Sequence, residues 1–241
     1  MVAFGFFLSL GTWPSYRRTL DFHLPSNYIL ISTSFTPDTY NCSLHLTFPL
    51  FHSDYPSANL SLSSSSSRAI LLSFKGRSYE DVQHHRTFFR HLHNARDIII
   101  EYTDQPNTSS TRFQYNELLR QSHFCLVPTG RRLSSYRFLE VLQSGCIPVI
   151  TSNDNEFLLL PFTELIDWSK AVIIYSNEPL SLLPYRLRMI TNQQRNDMQR
   201  ECFNIWSKYF SSIERIVLTS LDILNARFIS PSSLSSPSIQ P

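Results

Sequence analysis

An α/β protein with parallel sheets is the fold class this sequence predicts, on two observations. Short apolar runs alternate with stretches of helical spacing over most of the chain, the order of strand–helix–strand crossovers. Residues 123–150, HFCLVPTGRRLSSYRFLEVLQSGCIPVI, hold one complete crossover. Its strands are expected to be parallel and its connection right-handed.

The elements follow in chain order. Phe4–Leu10 reads as a buried strand, and Trp13-Pro14 opens a loop. A mixed segment from Asp21 to Phe35 contains the apolar Tyr28-Ile29-Leu30-Ile31. Leu44–Phe51 alternates as a strand does. Ser61–Ser67 is a solvated serine run. Ala69–Phe74 is a strand that runs into Lys75-Gly76-Arg77. Asp81–His93 reads as a helix and Asp97–Tyr102 as a strong strand. The polar Gln105–Thr111 precedes a helix over Tyr115–Gln121.

In the central crossover, Phe124–Val127 is an apolar run closed by Pro128, suited to a buried strand. Thr129 and Gly130 break it, and Arg131 and Arg132 put cations on the loop. Ser134 or Ser135 is the expected N-cap. Tyr136–Gln143 then has helical spacing, with Phe138, Leu139, Val141 and Leu142 on a broad apolar face. Gly145 stands where a C′ glycine ends a helix. Cys146–Ile150 is the second strand. Beyond it, Ser152–Leu160 is a loop holding Asn153, Asp154 and Glu156, and Ala171–Tyr175 is a strand. Helical spacing runs from Pro184 to about Phe228, and the Ser/Pro-rich residues 229–241 are expected to be disordered.

Composition narrows the functional classes. The chain has 241 residues, 42% hydrophobic and 13% aromatic, enough for one large or two small domains. A net charge of +2, with no basic stripe interleaved with aromatics, argues against a nucleic-acid partner. Four cysteines are too few for a disulfide scaffold. Cys125 and Cys146 fall in predicted buried strands, where a small buried hydrophobe is the default, and their pairing stays open. Without a C-x-x-C, zinc is not expected. His84, His85, His91 and His93 have no accompanying carboxylate set and do not gather on one helical face, so packing or capping outranks a metal there.

The chemistry concentrates at the carboxyl ends of strands. A helix start after the first strand of the crossover favours an anion, and Arg131, Arg132 and Arg137 add charge. Arginine forks match phosphate oxygens two at a time. Glu140 follows Arg137 by three and shares its face, placed for sugar hydroxyls. Spacing alone equally allows an ordinary solvated helix with an Arg137–Glu140 ion pair. Lys75 and Arg77 flank Gly76 just past another strand end, where open α/β sheets bind ligands. Neither G-x-x-x-x-G-K-[ST] nor G-x-G-x-x-G occurs. N-x-[ST] sequons stand at Asn41, Asn59 and Asn107, compatible with a secretory lumen.

The central segment resembles the exostosin family, family 47 of the glycosyltransferases. The residues that carry the likeness are Phe124 to Pro128, Gly130 to Leu133, Ser135, Arg137 to Glu140, Cys146, Pro148 and Val149. Thr129 stands where the family has a first arginine. Further likeness lies in Ser9 to Pro14, in Pro49-Leu50-Phe51, in Lys75-Gly76-Arg77 and in Pro161 to Trp168, before which this chain carries about three extra residues. The resemblance implies a GT-B-like fold of two Rossmann-like halves. The first half, residues 1–115, would be partial and on the acceptor side; the second, 116–228, would bind the nucleotide sugar and carry closing helices; 229–241 would be a tail. An upstream strand and helix, and a membrane anchor, are expected in the whole protein.

The resemblance implies inverting transfer of glucuronic acid from UDP-glucuronate to a heparan sulfate-type glycosaminoglycan chain. UDP-sugar contacts would come from Gly130, Arg131, Arg132, Ser135, Arg137 and Glu140, with Lys75, Arg77 and Glu156 as weaker candidates. No catalytic base is assigned; Asp154 and Glu156 are the candidates at hand. The only small molecule implied is the UDP-sugar donor, without resident cofactor or required metal. The family setting implies a hetero-oligomer with a second exostosin, in the Golgi or endoplasmic reticulum lumen, as a single-pass type II membrane protein. The rival expectation is a catalytically inactive scaffold subunit of such an assembly.

Overall fold

The structure, a computed structural model, describes residues 5–9, 28–52, 55–56, 68–78, 85–104, 114–130, 133–151, 158–176 and 178–228. The expected loop over 61–67 and tail over 229–241 lie outside these residues, as do the sequons at Asn59 and Asn107.

Two parallel sheets form the framework. The first joins β1 (Gly5–Ser9), β2 (Tyr28–Ser32) and β3 (Leu46–Thr47) in that order. The strand expected over 44–51 pairs only at Leu46 and Thr47, because Pro49 cannot donate to a ladder. The second sheet contains β4 (Ile70–Gly76), β5 (Ile98–Tyr102), β6 (Ser122–Pro128), β7 (Ile147–Thr151) and β8 (Ile173–Tyr175), in the order β5-β4-β6-β7-β8. Every pairing in it is parallel. The α/β class with parallel sheets is therefore what the chain adopts. The expected division at residue 115 does not follow sheet membership. β4 pairs with both β5 and β6, so among the described strands the change of sheet falls between Thr47 and Ile70.

The apolar run of β6 is continuous because both faces are covered. Phe124 and Leu126 face a core with Phe74, Phe89 and Ile147. Cys125 and Val127 face the other core, with Leu139, Leu142, Phe162 and Phe210. Alternate residues of a strand point to opposite faces, and each fully buried Leu or Phe contributes roughly 1.5–3 kcal/mol.

Helix α1 (Tyr115–Gln121) enters β6, and α2 (Arg137–Gln143) links β6 to β7. Gly145 ends α2 with φ 68°, the left-handed C′ conformation expected of it. Cys125 and Cys146 form a disulfide with Cα atoms 6.0 Å apart, closing the loop that contains α2. The expected serine N-cap does not form: the N-cap of α2 is Tyr136, with no side-chain cap bond. Ser134 instead hydrogen-bonds Ser34 at 3.1 Å and Thr33 at 3.3 Å, tying this loop to the end of β2. The seam beside it, lined by Thr33, Phe48, Pro128, Ser134, Ser135 and Phe138 among others, leaves a cavity of about 20 Å³, room for a single water.

The helix expected over 81–93 is a 3₁₀ helix over His85–Leu92, with 81–84 outside the described residues. Thr87, Phe88 and Phe89 lose rotamer freedom in an α-helix, which weakens that choice. After β8 come α3 (Leu183–Met189), α4 (Asn192–Ile205), a π-helical turn Trp206–Phe210 and α5 (Ile213–Phe228). These helices return to the first sheet's neighbourhood. Tyr55 donates to the Phe210 carbonyl and accepts from Trp206 Nε1 at 3.1 Å. Arg227 donates to the His45 carbonyl at 2.6 Å and pairs with Glu164, which also accepts from Tyr40. Among the described residues, no helix is long and apolar enough to cross a membrane.

Candidate functional site

In chain order, the five strands of the larger sheet read 2-1-3-4-5 across it. The order reverses between β4 and β6, and such a switch point opens a crevice at the carboxyl ends of the strands. β4 ends in Lys75-Gly76 and runs on to Arg77; β6 ends in Pro128 and runs on to Thr129-Gly130. The segments singled out in the sequence therefore meet at one place, although 52 residues separate Ser73 and Cys125, which touch across the two strands.

Arg137, at the start of α2, reaches into this crevice. Its guanidinium carbon lies 4.7 Å from the centroid of Phe74 and 5.1 Å from that of Tyr115. One amino group stands 2.8 Å from where a Cβ on Gly76 would be. Two aromatic faces thus hold the cation by cation–π attraction, and the missing side chain of Gly76 makes room for it. Among the described residues no carboxylate pairs with Arg137, so the helix ion pair with Glu140 does not form. Glu140 accepts instead from the Tyr115 hydroxyl. Burial raises the Tyr115 pKa far above the usual phenol range, with Glu140 adding to the rise and Arg137 opposing it. Tyr115 is therefore a neutral donor that fixes one oxygen of Glu140.

Lys75 has a partner on the neighbouring strand. Its residue is buried, and its Nζ lies 3.0 Å from a carboxylate oxygen of Glu101 on β5, its partner in register. That pairing takes its charge out of the crevice wall. Arg77 is exposed, and its carbonyl accepts from Arg86 Nη1 at 3.3 Å. Ser135 gives its carbonyl to the Phe138 amide at 3.1 Å. Gly130 lies half-buried at the mouth. Arg131, Arg132, Asp154 and Glu156 lie outside the described residues.

Arg86 was not anticipated from the sequence. It is buried and donates to the carbonyls of Thr129, Pro128 and Arg77. Its own carbonyl accepts from Tyr102, whose pKa burial pushes up to about 12. Phe74, Tyr102, Tyr115 and Glu101 were likewise missed. A basic residue that grips main-chain oxygens carries no motif, and the Lys75–Glu101 pair needs the strand register to be seen.

Of the four histidines considered for a metal, His84 lies outside the described residues. His93 accepts the Ile100 amide at 3.0 Å, and Asn94 accepts the amides of Arg96, Asp97 and Ile98, a capping role. Among the described residues no three His, Cys, Asp or Glu side chains gather as metal ligands.

Comparison with known proteins adds the following. Exostosin-1a of Danio rerio is 34% identical over 254 residues, covering 95% of this chain and 34% of that protein. Exostosin-1 of Bos taurus is 33% identical over 248 residues, covering 92% and 32%. The chain thus spans about a third of the length of the curated relatives it matches. Among solved structures, TarM superposes with a TM-score of 0.46 at 12% identity, over 82% of this chain and 43% of TarM. WaaG, a glycosyltransferase involved in lipopolysaccharide biosynthesis, gives a TM-score of 0.42 at 11% identity, over 86% and 67%. The family model of the Exostosin GT47 domain matches residues 6–190, so the chain belongs to the exostosin GT47 glycosyltransferase family.

Proposed function

We propose that this chain carries the donor-binding part of an inverting exostosin-type glycosyltransferase, which takes glucuronic acid from UDP-glucuronate and adds it to a heparan sulfate-type chain. The observation that supports this most is the Arg137 guanidinium, seated at the switch point against Gly76 and without a described carboxylate partner. In this reading it faces the diphosphate, and Arg131 and Arg132 close on the same oxygens. Glu140, with one oxygen held by Tyr115, offers the other to the ribose hydroxyls.

The chemistry is a displacement at the anomeric carbon. The acceptor hydroxyl oxygen forms the new glycosidic bond as the bond from the sugar to the diphosphate breaks. UDP leaves with the electron pair, and preorganised guanidinium charge stabilises it, commonly the largest catalytic contribution. Guanidinium groups, rather than a bound metal, are assigned that task, and no resident cofactor takes part. A base removes the acceptor proton; no residue is assigned to it. The same reading places the whole protein in the Golgi or endoplasmic reticulum lumen as a type II membrane protein, working with a second exostosin chain.

The test is transfer of radiolabel from UDP-glucuronate to a heparan oligosaccharide by the full-length protein. Label in the acceptor, lost with Arg137→Ala, is the expected result. Thr129, where the family has an arginine, favours a second reading, a subunit that keeps the fold without transferring sugar. UDP binding with no transfer would select that reading.

A further inference from the structure

The buried side chain of Arg86 reaches across the switch point and touches both loops that border it. From β6, Thr129 O receives Nε at 3.1 Å and Nη2 at 2.7 Å, and Pro128 O lies 3.5 Å from Nη2. From β4, Arg77 O receives Nη1 at 3.3 Å. The β4 loop is latched from a second side, since Asp104 accepts the Ser78 amide at 3.0 and 2.9 Å and its hydroxyl at 3.1 Å. Tyr102 holds Arg86 through its carbonyl, and the guanidinium carbon lies 5.8 Å from the Phe74 ring that also carries Arg137.

We propose that Arg86 is a positioning residue for the diphosphate end of the donor, which it orients without touching. This rests on the reading of the switch point as the donor site. A planar fork with five donors can grip three carbonyls on two strands at once, which a lysine ammonium cannot do at the same angles. A trans peptide points its N–H opposite to its carbonyl. Gripping the Pro128 and Thr129 carbonyls therefore turns the amides of Thr129 and Gly130 away from the buried guanidinium, and fixes where the chain enters Gly130. Holding Arg77 O in the same fork sets the width of the crevice in which Arg137 sits.

The test is calorimetric titration of UDP and of uridine into the full-length protein, as wild type, Arg86→Lys and Tyr102→Phe. Lysine keeps the charge and loses the fork. With the fold intact by thermal melting, Arg86→Lys is expected to weaken UDP about tenfold or more. Uridine, which lacks phosphate, changes less than about twofold on the same scale. Tyr102→Phe, which loosens Arg86 without changing its guanidinium, gives a smaller loss in the same direction and carries the test if Arg86→Lys fails to fold. A folded Arg86→Lys that binds UDP as wild type does overturns the proposal, and so does an equal loss for UDP and uridine, which marks a merely structural brace. Wild-type protein that ignores UDP overturns the donor-site reading itself, a distinct outcome.

Discussion

The guanidinium of Arg137 stands where a side chain on Gly76 would begin: one amino nitrogen is 2.8 Å from the position of that absent Cβ. Phe74 lies 3.2 Å from the same point. A methyl group there meets two neighbours that are themselves stacked on each other, and the guanidinium is the one that can swing away. Gly76→Ala is expected to cost little stability and to weaken UDP binding by about 1.5–3 kcal/mol, the scale of a lost charged hydrogen bond. Calorimetry with UDP, beside a urea unfolding curve, separates the two effects. Unchanged affinity would show that Arg137 does not need this seat.

Tyr115→Phe removes the hydroxyl that donates to Glu140 and keeps the ring that packs on Arg137. Glu140 loses its donor and gains rotational freedom. A loss of about 1–2 kcal/mol in unfolding free energy is expected, with weaker binding of UDP and of uridine alike, because the ribose contact is shared. A variant as stable as wild type would mean that water replaces the phenol at no cost.

The disulfide joins residues 21 apart in sequence, and the loop it closes contains Arg137 and Glu140. Loop-closure entropy for that length corresponds to about 3 kcal/mol. Cys125→Ala/Cys146→Ala is expected to lose about that much, measured by chemical denaturation. Both cysteines are fully buried, so the alanine pair also leaves a small packing defect. A double variant with wild-type stability would contradict the loop-closure argument.

Much of this unit is legible in the sequence. The apolar run of β6, the 3.6-residue spacing of α2 and Gly145 as its terminator all follow from short-range rules, and each is found. What failed was non-local. The Ser134 hydroxyl had a local offer, the α2 N-cap, and a distant one, Ser34 and Thr33, and the distant one won. The Lys75–Glu101 pair is seen only once strand register sets the two residues side by side. Arg86 had no signal at all, since its partners are main-chain oxygens that any sequence supplies.

Acid sensitivity follows from two histidines. Burial first, then the charges of Arg195 and Arg68, hold the His123 imidazole below its ordinary pKa. Burial lowers that of His45, the charge of Arg227 acting in the same direction against a backbone bond at Thr39. The unfolded chain, with a histidine pKa near 6.5, then binds protons before the folded one does. Stability is complete above about pH 6.5 and declines as the pH falls from there through the folded values. Urea unfolding between about pH 7.5 and 5.5 should show that decline, shallower in His123→Gln. A flat profile across this window would be inconsistent with neutral half-buried imidazoles.

The most direct measurement is calorimetric titration of UDP into wild-type protein and Arg137→Ala, side by side, with both shown to be folded. The expected result is saturable binding by the wild type and a loss of about 1.5–3 kcal/mol in the variant, unrescued by Arg137→Lys because a lysine cannot stack flat on Phe74 and Tyr115. Equal affinity in the two proteins would remove Arg137 from the donor site and leave the crevice between β4 and β6 without its assigned ligand.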